Sequence, residues 1–169
     1  DSALYNCYTS GSISITNAET YSNQGDTLGG IVGLSQHGIV LNCGTDAGVS
    51  YASTNKSGGI YVGGVVGYLT AGYAAPICIL NSYSHSQISV TLSDFSGNPD
   101  YIGGIAGLLF DDAVNNYFCG SISVSQGEDI LVGYAFGDAE SNVTINETTY
   151  ELLVRRNYAP AGTTSLGEG

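Results

Sequence analysis

Few residues of this chain have chemistry to offer. Its 169 residues include 15 Asp and Glu, three Lys and Arg, two His and four Cys. The carboxylates gather weakly, as Asp111-Asp112, Glu128-Asp129, Asp138 with Glu140, and Asp94 with Asp100. Paired carboxylates can divide acid and base roles in glycoside cleavage. Carboxylates in a loop can also hold calcium, a hard cation that prefers oxygen ligands. Loops 94–100 and 126–129 have the oxygens for calcium, but no EF-hand or Gly-Gly-x-Gly-x-Asp motif accompanies them. No cofactor is expected.

The remaining nucleophiles and bases are scattered. Cys7, Cys43, Cys78 and Cys119 form no CxxC pair, which argues against zinc, and four Cys are too few for a disulfide scaffold. His37 and His85 occupy different repeat positions and read as turn or surface residues. No Ser/His/Asp or Cys/His set is expected from positions that should lie close together. The chain is therefore read as non-enzymatic.

What must position these residues is a repeat. The phrase Gly29-Gly30-Ile31-Val32-Gly33-Leu34 returns as Gly63-Gly64-Val65-Val66-Gly67-Tyr68 and as Gly103-Gly104-Ile105-Ala106-Gly107-Leu108. A worn copy follows at Leu131-Val132-Gly133-Tyr134. A second phrase accompanies it. Asn6-Cys7-Tyr8 leads to Ile13-Ser14-Ile15, Asn42-Cys43-Gly44 to Val49-Ser50-Tyr51, Asn81-Ser82-Tyr83 to Ile88-Ser89-Val90, and Asn115-Asn116-Tyr117 to Ile122-Ser123-Val124. Repeats of this length, each unable to bury its own apolar face, stack into a solenoid.

The apolar-Ser-apolar endings predict strands with Ile13, Ile15, Ile88 and Val90 inward and Ser14 and Ser89 outward. No segment has a helical period. In the first whole repeat, strands are expected near 28–34, 38–43 and 47–52, separated by turn residues. The loop after the third strand is expected to absorb the variation in repeat length. The fold expected is all-β: a parallel β-helix of four to five coils with three short strands each, right-handed by the default for parallel crossovers. Its parts are a half repeat 1–27, repeats 28–60, 61–100 and 101–129, a degenerate coil 130–150, and a C-terminal cap or tail 151–169. Without a Met, the chain reads as an excised fragment or a processed mature protein.

Stacking turns repeat positions into columns. Gly29, Gly63 and Gly103 form one, with Gly30, Gly64 and Gly104 beside them, and Gly33, Gly67 and Gly107 form another. They suit a corner with positive φ, or coils too close for a Cβ. Asn6, Asn42, Asn81 and Asn115 form an amide column, read as an internal ladder at a bend. Tyr8, Tyr83 and Tyr117 share the next column, and Tyr61 pairs with Tyr101. Cys7 and Cys43 fall on adjacent coils, about 4.8 Å apart at Cα, within disulfide range. They are either buried thiols packed as small apolar groups or a coil-to-coil disulfide. Asp111-Asp112 sits in a turn with no carboxylate or basic residue in the matching column of another coil, so an acid/base pair is not assembled there.

The two-part phrase resembles the GLUG repeat over roughly residues 1–150. That family occurs in large bacterial surface and secreted proteins, including adhesin-like proteins and some IgA-specific peptidases. The resemblance implies an extracellular or cell-surface location and a structural or adhesive role. Recognition of a protein or glycan on another surface would fall to the variable corner loops 17–27, 53–60 and 93–100. A self-assembling subunit stacking end to end is the alternative, with Arg155 and Arg156 as assembly contacts. A non-catalytic spacer of a secreted peptidase is a third reading, although no His-Glu-x-x-His helix is present.

Composition narrows the partners. The net charge of −12 repels phosphate backbones and anionic membrane surfaces, so neither nucleic acid nor an anionic bilayer suits this chain. No apolar run approaches the ~18 residues of a membrane helix. Charged residues make up 11% and apolar residues 43%, a balance opposite to that of disordered chains.

Overall fold

The computed structural model describes residues 2–20, 25–36, 38–56, 58–70, 78–92, 98–125, 130–139, 142–145, 148–151 and 153–160. The first coil contains β1 (Ser2–Tyr5), β2 (Tyr8–Thr9), β3 (Ser12–Thr20), β4 (Asp26–Gly29) and β5 (Val32–Ser35). The second contains β6 (Gly38–Leu41), β7 (Gly44–Thr45), β8 (Gly48–Lys56), β9 (Ile60–Gly63) and β10 (Val66–Leu69). The third contains β11 (Cys78–Leu80), β12 (Tyr83–Ser84), β13 (Gln87–Leu92), β14 (Asp100–Gly103) and β15 (Ala106–Leu109). The fourth contains β16 (Asp112–Val114), β17 (Tyr117–Phe118), β18 (Ser121–Ser125), β19 (Ile130–Gly133) and β20 (Phe136–Ala139). A hairpin, β21 (Asn142–Ile145) with β22 (Thr148–Glu151), and a last strand β23 (Val154–Arg155) complete the described chain.

Equivalent strands pair in parallel from coil to coil and build five sheets. Sheet A is β1-β6-β11-β16-β23, sheet B β2-β7-β12-β17, sheet C β3-β8-β13-β18, sheet D β4-β9-β14-β19 and sheet E β5-β10-β15-β20. The protein is a parallel β-solenoid. Coil-to-coil hydrogen bonds continue through the bends, as in Gly44 N to Cys7 O at 2.9 Å and Ile31 N to Val65 O at 3.0 Å.

Each coil has five strands where three were expected. The Gly-Gly-apolar-apolar-Gly phrase is the reason. It is not one strand but an arch between sheets D and E, bent at Gly30-Ile31 and its equivalents. The two arms lie back to back: a Cβ on Gly67 would sit 2.6 Å from Gly33 O, 2.7 Å from Leu28 N and 2.8 Å from Tyr61 O. A Cβ on Gly63 would run into Val66 O. Close approach, not positive φ, therefore demands glycine here. The columns run as read, with Gly29 on Gly63, Gly63 on Gly103, and Gly103 on Gly133.

The core lies inside the coil. In β13 burial alternates strictly, with Ile88, Val90 and Leu92 inside and Gln87, Ser89 and Thr91 outside, as the period-two pattern requires. Val40, Ile79 and Ala113 face them from sheet A, and Leu28, Val62 and Ile102 from sheet D. Val65, Ile105 and Ala135 fill the inside of the arch at 0% exposure. Hydroxyls also line the interior: Thr9 Oγ1 donates to Gly30 O at 2.7 Å and lies 2.9 Å from Thr45 Oγ1.

Length variation enters at two corners, not one. Residues 21–25, 57–59, 93–99 and 126–129 join sheet C to sheet D, the expected place. The second corner joins sheet E to sheet A through 36–37, 70–77, 110–111 and the segment 140–153 that holds the hairpin. In this segment β21 and β22 form an antiparallel hairpin inserted before the chain rejoins sheet A at β23, where the sequence suggested a degenerate coil.

Candidate functional site

The bend between sheets A and B sets up the outer surface. Asn6, Asn42, Asn81 and Asn115 all have positive φ, at 53°, 53°, 49° and 59°. Asn tolerates this left-handed conformation better than other residues with a side chain. The Asn column is therefore a backbone device, and it corrects the expected internal ladder: all four side chains are exposed. One external rung joins Asn115 Nδ2 to Asn81 Oδ1 at 2.7 Å. The internal ladder lies one residue later. Ser82 N donates to Asn116 Oδ1 at 2.8 Å, and Asn116 Nδ2 to Asn157 Oδ1 at 2.9 Å. Asn157 Nδ2 in turn donates to Ala113 O at 2.9 Å.

Past the left-handed residue, sheet B turns one side chain of every pair outward. Tyr8, Gly44, Tyr83 and Tyr117 share a column, and Tyr158 bridges Tyr117 at its end. Gly44 leaves room for a neighbour, since a Cβ there would collide with the ring of Tyr83. Tyr83 and Tyr117 stack with ring centroids 5.4 Å apart. The next outward column holds Asp46, His85 and Cys119, each at the same offset from its Asn.

These two columns form a continuous polar chain along the solenoid. Tyr8 Oη donates to Asp46 Oδ2 at 2.6 Å. Asp46 Oδ1 lies 3.1 Å from His85 Nδ1. His85 Nε2 lies 3.2 Å from Tyr117 Oη. The Tyr8 hydroxyl is held above its ordinary pKa, chiefly because it donates to the Asp46 carboxylate. Tyr117 is raised too, chiefly by desolvation. The register places Asp46, His85 and Cys119 on successive coils, and it brings Asp46 into contact with His85. The imidazole is engaged on both nitrogens, by Asp46 and by a tyrosine hydroxyl.

Beyond Tyr117 the strip opens into a groove of about 490 Å³ lined by Asn81, Ser82, Asn115, Asn116, Tyr117 and Tyr158. Amides and phenols converge there, the groups that hydrogen-bond and stack on uncharged polar ligands. Tyr158 is 57% exposed. A second stack, Tyr61 with Tyr101 at 5.5 Å and with Tyr68 at 4.8 Å, lies at the arch.

The other expected positions are structural. Asp111 Oδ1 accepts from Asp112 N at 2.8 Å, and Asp112 Oδ1 accepts from Leu153 N at 2.8 Å, which ties the returning chain to sheet A. Asp100 is buried and accepts from Ile60 N at 3.0 Å. Arg155 pairs with Val114 in sheet A, and Arg156 takes the left-handed position of the Asn column at φ 55°. Both arginines are exposed. Cys7 and Cys43 are free thiols, one half-buried and one buried. His37, Asp94 and 126–129 lie outside the described residues, as do parts of the loops 17–27, 53–60 and 93–100. Among the described residues no group of three or more His, Cys, Asp and Glu gathers as a metal site.

His85 lies on the surface as expected, but residue types alone do not reveal its contact with Asp46. Their equal offset from Asn42 and Asn81 was the available signal. Comparison with family models, curated proteins and solved structures finds no match to this chain.

Proposed function

We propose that this chain is a non-enzymatic, extracellular structural and adhesive module of a bacterial surface protein, built from repeats of the GLUG kind. The observation that supports this reading most is the in-register stacking of five sheets over four coils around one continuous core. A solenoid of this kind is a stiff spacer that presents an extended lateral surface. Surface features follow the same columns: an aromatic and polar strip on sheet B, and insertions at two corners. The partner on this reading is a protein or glycan of another surface, with neither nucleic acid nor an anionic membrane favoured at a net charge of −12.

Beads coated with the chain test the adhesive part, measured against surfaces carrying neutral glycans, sialylated glycans or extracellular proteins. Retention above that of beads coated with an unrelated acidic protein is expected on at least one surface. Loss of retention in Tyr117→Ser with His85→Ser would place recognition on the strip. Loss only on shortening the corner loops would place it there. No retention anywhere removes the adhesive role and leaves the spacer role.

The second reading is end-to-end assembly of copies of the chain as given, in which β1 to β5 are each paired on one side among the described residues. Leu4, Tyr5, Tyr8 and Leu34 are exposed there, beside a cleft of about 330 Å³ lined in part by Leu4, Val32, Leu34 and Val40. Unpaired strand edges template further strands. Among the described residues β23 adds a rung to sheet A, and the last strands of sheets C, D and E are β18, β19 and β20. Arg155→Glu with Arg156→Glu should abolish assembly on this reading, and assembly that is unaffected would reject their role.

A further inference from the structure

We infer that Cys7 and Cys43 form a redox clasp that locks the first coil onto the second, a modification site independent of any adhesive function. The two residues occupy one rung. Tyr5 pairs with Leu41 and Tyr8 with Gly44, so the residues between them stack in register, Asn6 on Asn42 and Cys7 on Cys43. The intervening hydrogen bonds hold that register: Asn6 N to Leu41 O at 3.1 Å and Gly44 N to Cys7 O at 2.9 Å. In-register parallel strands place the Cα atoms about 4.8 Å apart, inside the range a disulfide spans.

The side chains turn to the same side. Cys7 Sγ lies 3.5 Å from Tyr5 O, and Cys43 Sγ lies 3.4 Å from Leu41 O, the equivalent carbonyl one coil on. Cys43 Sγ also lies 3.6 Å from Leu4 O, so it reaches across to the first coil. Burial raises the Cys43 thiol above its ordinary pKa, and the neighbouring Cys7 thiol adds to the rise. The other two cysteines have no such partner. Cys78 stacks on Ile39 and Asp112, and Cys119 follows Phe118 in the column of Asp46 and His85.

The location gives the pair its effect. β1 and β2 are edge strands, and β1 is exposed along its whole length. A short strand with few buried side chains opens more readily than the core. A bond from Cys7 to Cys43 would staple this edge to β6 and β7. It closes a loop of one full coil, which restricts the unfolded chain.

The co-reactant is a small-molecule disulfide. Cys7, the more accessible thiol, attacks it, forms a mixed disulfide and releases one thiol. Cys43 then attacks the Cys7 sulfur, releases the second thiol and closes the bond. Two protein thiols are oxidised and one external disulfide is reduced to two thiols; the two protons pass to the departing thiolates.

The test equilibrates the full chain with oxidised glutathione at pH 8, blocks remaining thiols in denaturant and maps the peptides by mass spectrometry. A linked peptide joining Cys7 and Cys43 is expected. Tm should rise by about 10 °C, reversibly with dithiothreitol. Hydrogen exchange across residues 2–15 should slow in the oxidised form. Cys7→Ser should lose all three effects, and Cys7→Ala serves as the second variant if the first does not fold. Recovery of both Cys7 and Cys43 as blocked thiols would overturn the clasp. So would a linked peptide joining either of them to Cys78 or Cys119.

Discussion

At the scale of single residues, the bend between sheets A and B depends on left-handed backbone at one position per coil. A residue with an ordinary side chain pays roughly 1–2 kcal/mol for that conformation, while Asn and Gly largely escape it. Asn42→Ala should therefore destabilise the protein by about 1–2 kcal/mol, and Asn42→Gly by much less; urea denaturation of the two variants checks the difference. The same logic runs in reverse at Arg156, which holds φ 55°. Arg156→Asn should stabilise by up to about 1 kcal/mol, seen as a rise in the denaturation midpoint. A null result at both sites would mean that the bend is held by packing alone.

Tyr51 makes a second residue-scale case. It is 1% exposed, and its hydroxyl donates to Asp26 Oδ2 at 2.6 Å. Burial first, and then that hydrogen bond, hold its pKa far above the ordinary tyrosine value of 10.0. The folded state therefore keeps a proton that the unfolded chain releases near pH 10. Its contribution is complete below that pH and declines as pH rises toward the folded pKa. Thermal stability should fall from about pH 10 upward, and Tyr51→Phe should flatten that fall while lowering stability at pH 7. An unchanged alkaline slope in the variant would assign the loss to the other tyrosines, of which Tyr8, Tyr61 and Tyr117 are also raised.

At the scale of elements, the arch between sheets D and E is the most constrained part of each coil. Gly67→Ala places a methyl within 2.6–2.8 Å of three backbone atoms of neighbouring strands. Backbone cannot yield as a side-chain tip can, so the substitution should cost about 3 kcal/mol or more and reduce soluble yield. Gly48→Ala is the control, because its Cβ would meet only Gly11 O at 3.8 Å. Circular dichroism melts of the pair should differ widely, and equal melting temperatures would reject back-to-back packing of the arch. The paired strands of sheet C are more forgiving, since Ser14, Ser50 and Ser89 face outward on a regular ladder.

At the scale of the molecule, charge and stacking oppose one another. End-to-end association through strand edges is the proposed force on one side, and a net charge of −12 resists it. Salt screens that repulsion over a Debye length of about 10 Å at 0.1 M. If the chain assembles end to end, its mass by light scattering should rise between 20 mM and 500 mM salt, with fibres in negative-stain micrographs. Monomers at both salts would leave the spacer and adhesive reading in front. The two corners that accept insertions separate architecture from decoration. The five sheets continue from coil to coil while the number of residues joining sheet E to sheet A varies.

The sequence by itself determined that the chain is a solenoid and which residues share a column. Stacking repeats must superpose equivalent positions, so the spacing of Gly29, Gly63 and Gly103, or of Asn6, Asn42 and Asn81, is already a statement about neighbours. Period-two burial in Ile88-Ser89-Val90 was legible for the same reason. What only the tertiary structure decided was direction within the coil. Gly-Gly-apolar-apolar-Gly reads equally as a strand or as an arch, because the reversal at Gly30-Ile31 appears only when sheet E lies against sheet D. The Asn column pointed outward because its backbone is left-handed, a dihedral that residue spacing does not carry. The link from Tyr8 through Asp46 and His85 to Tyr117 needed the same information. Columns place those residues on successive coils, but the reach and rotation of each side chain across the sheet surface set the contacts between them.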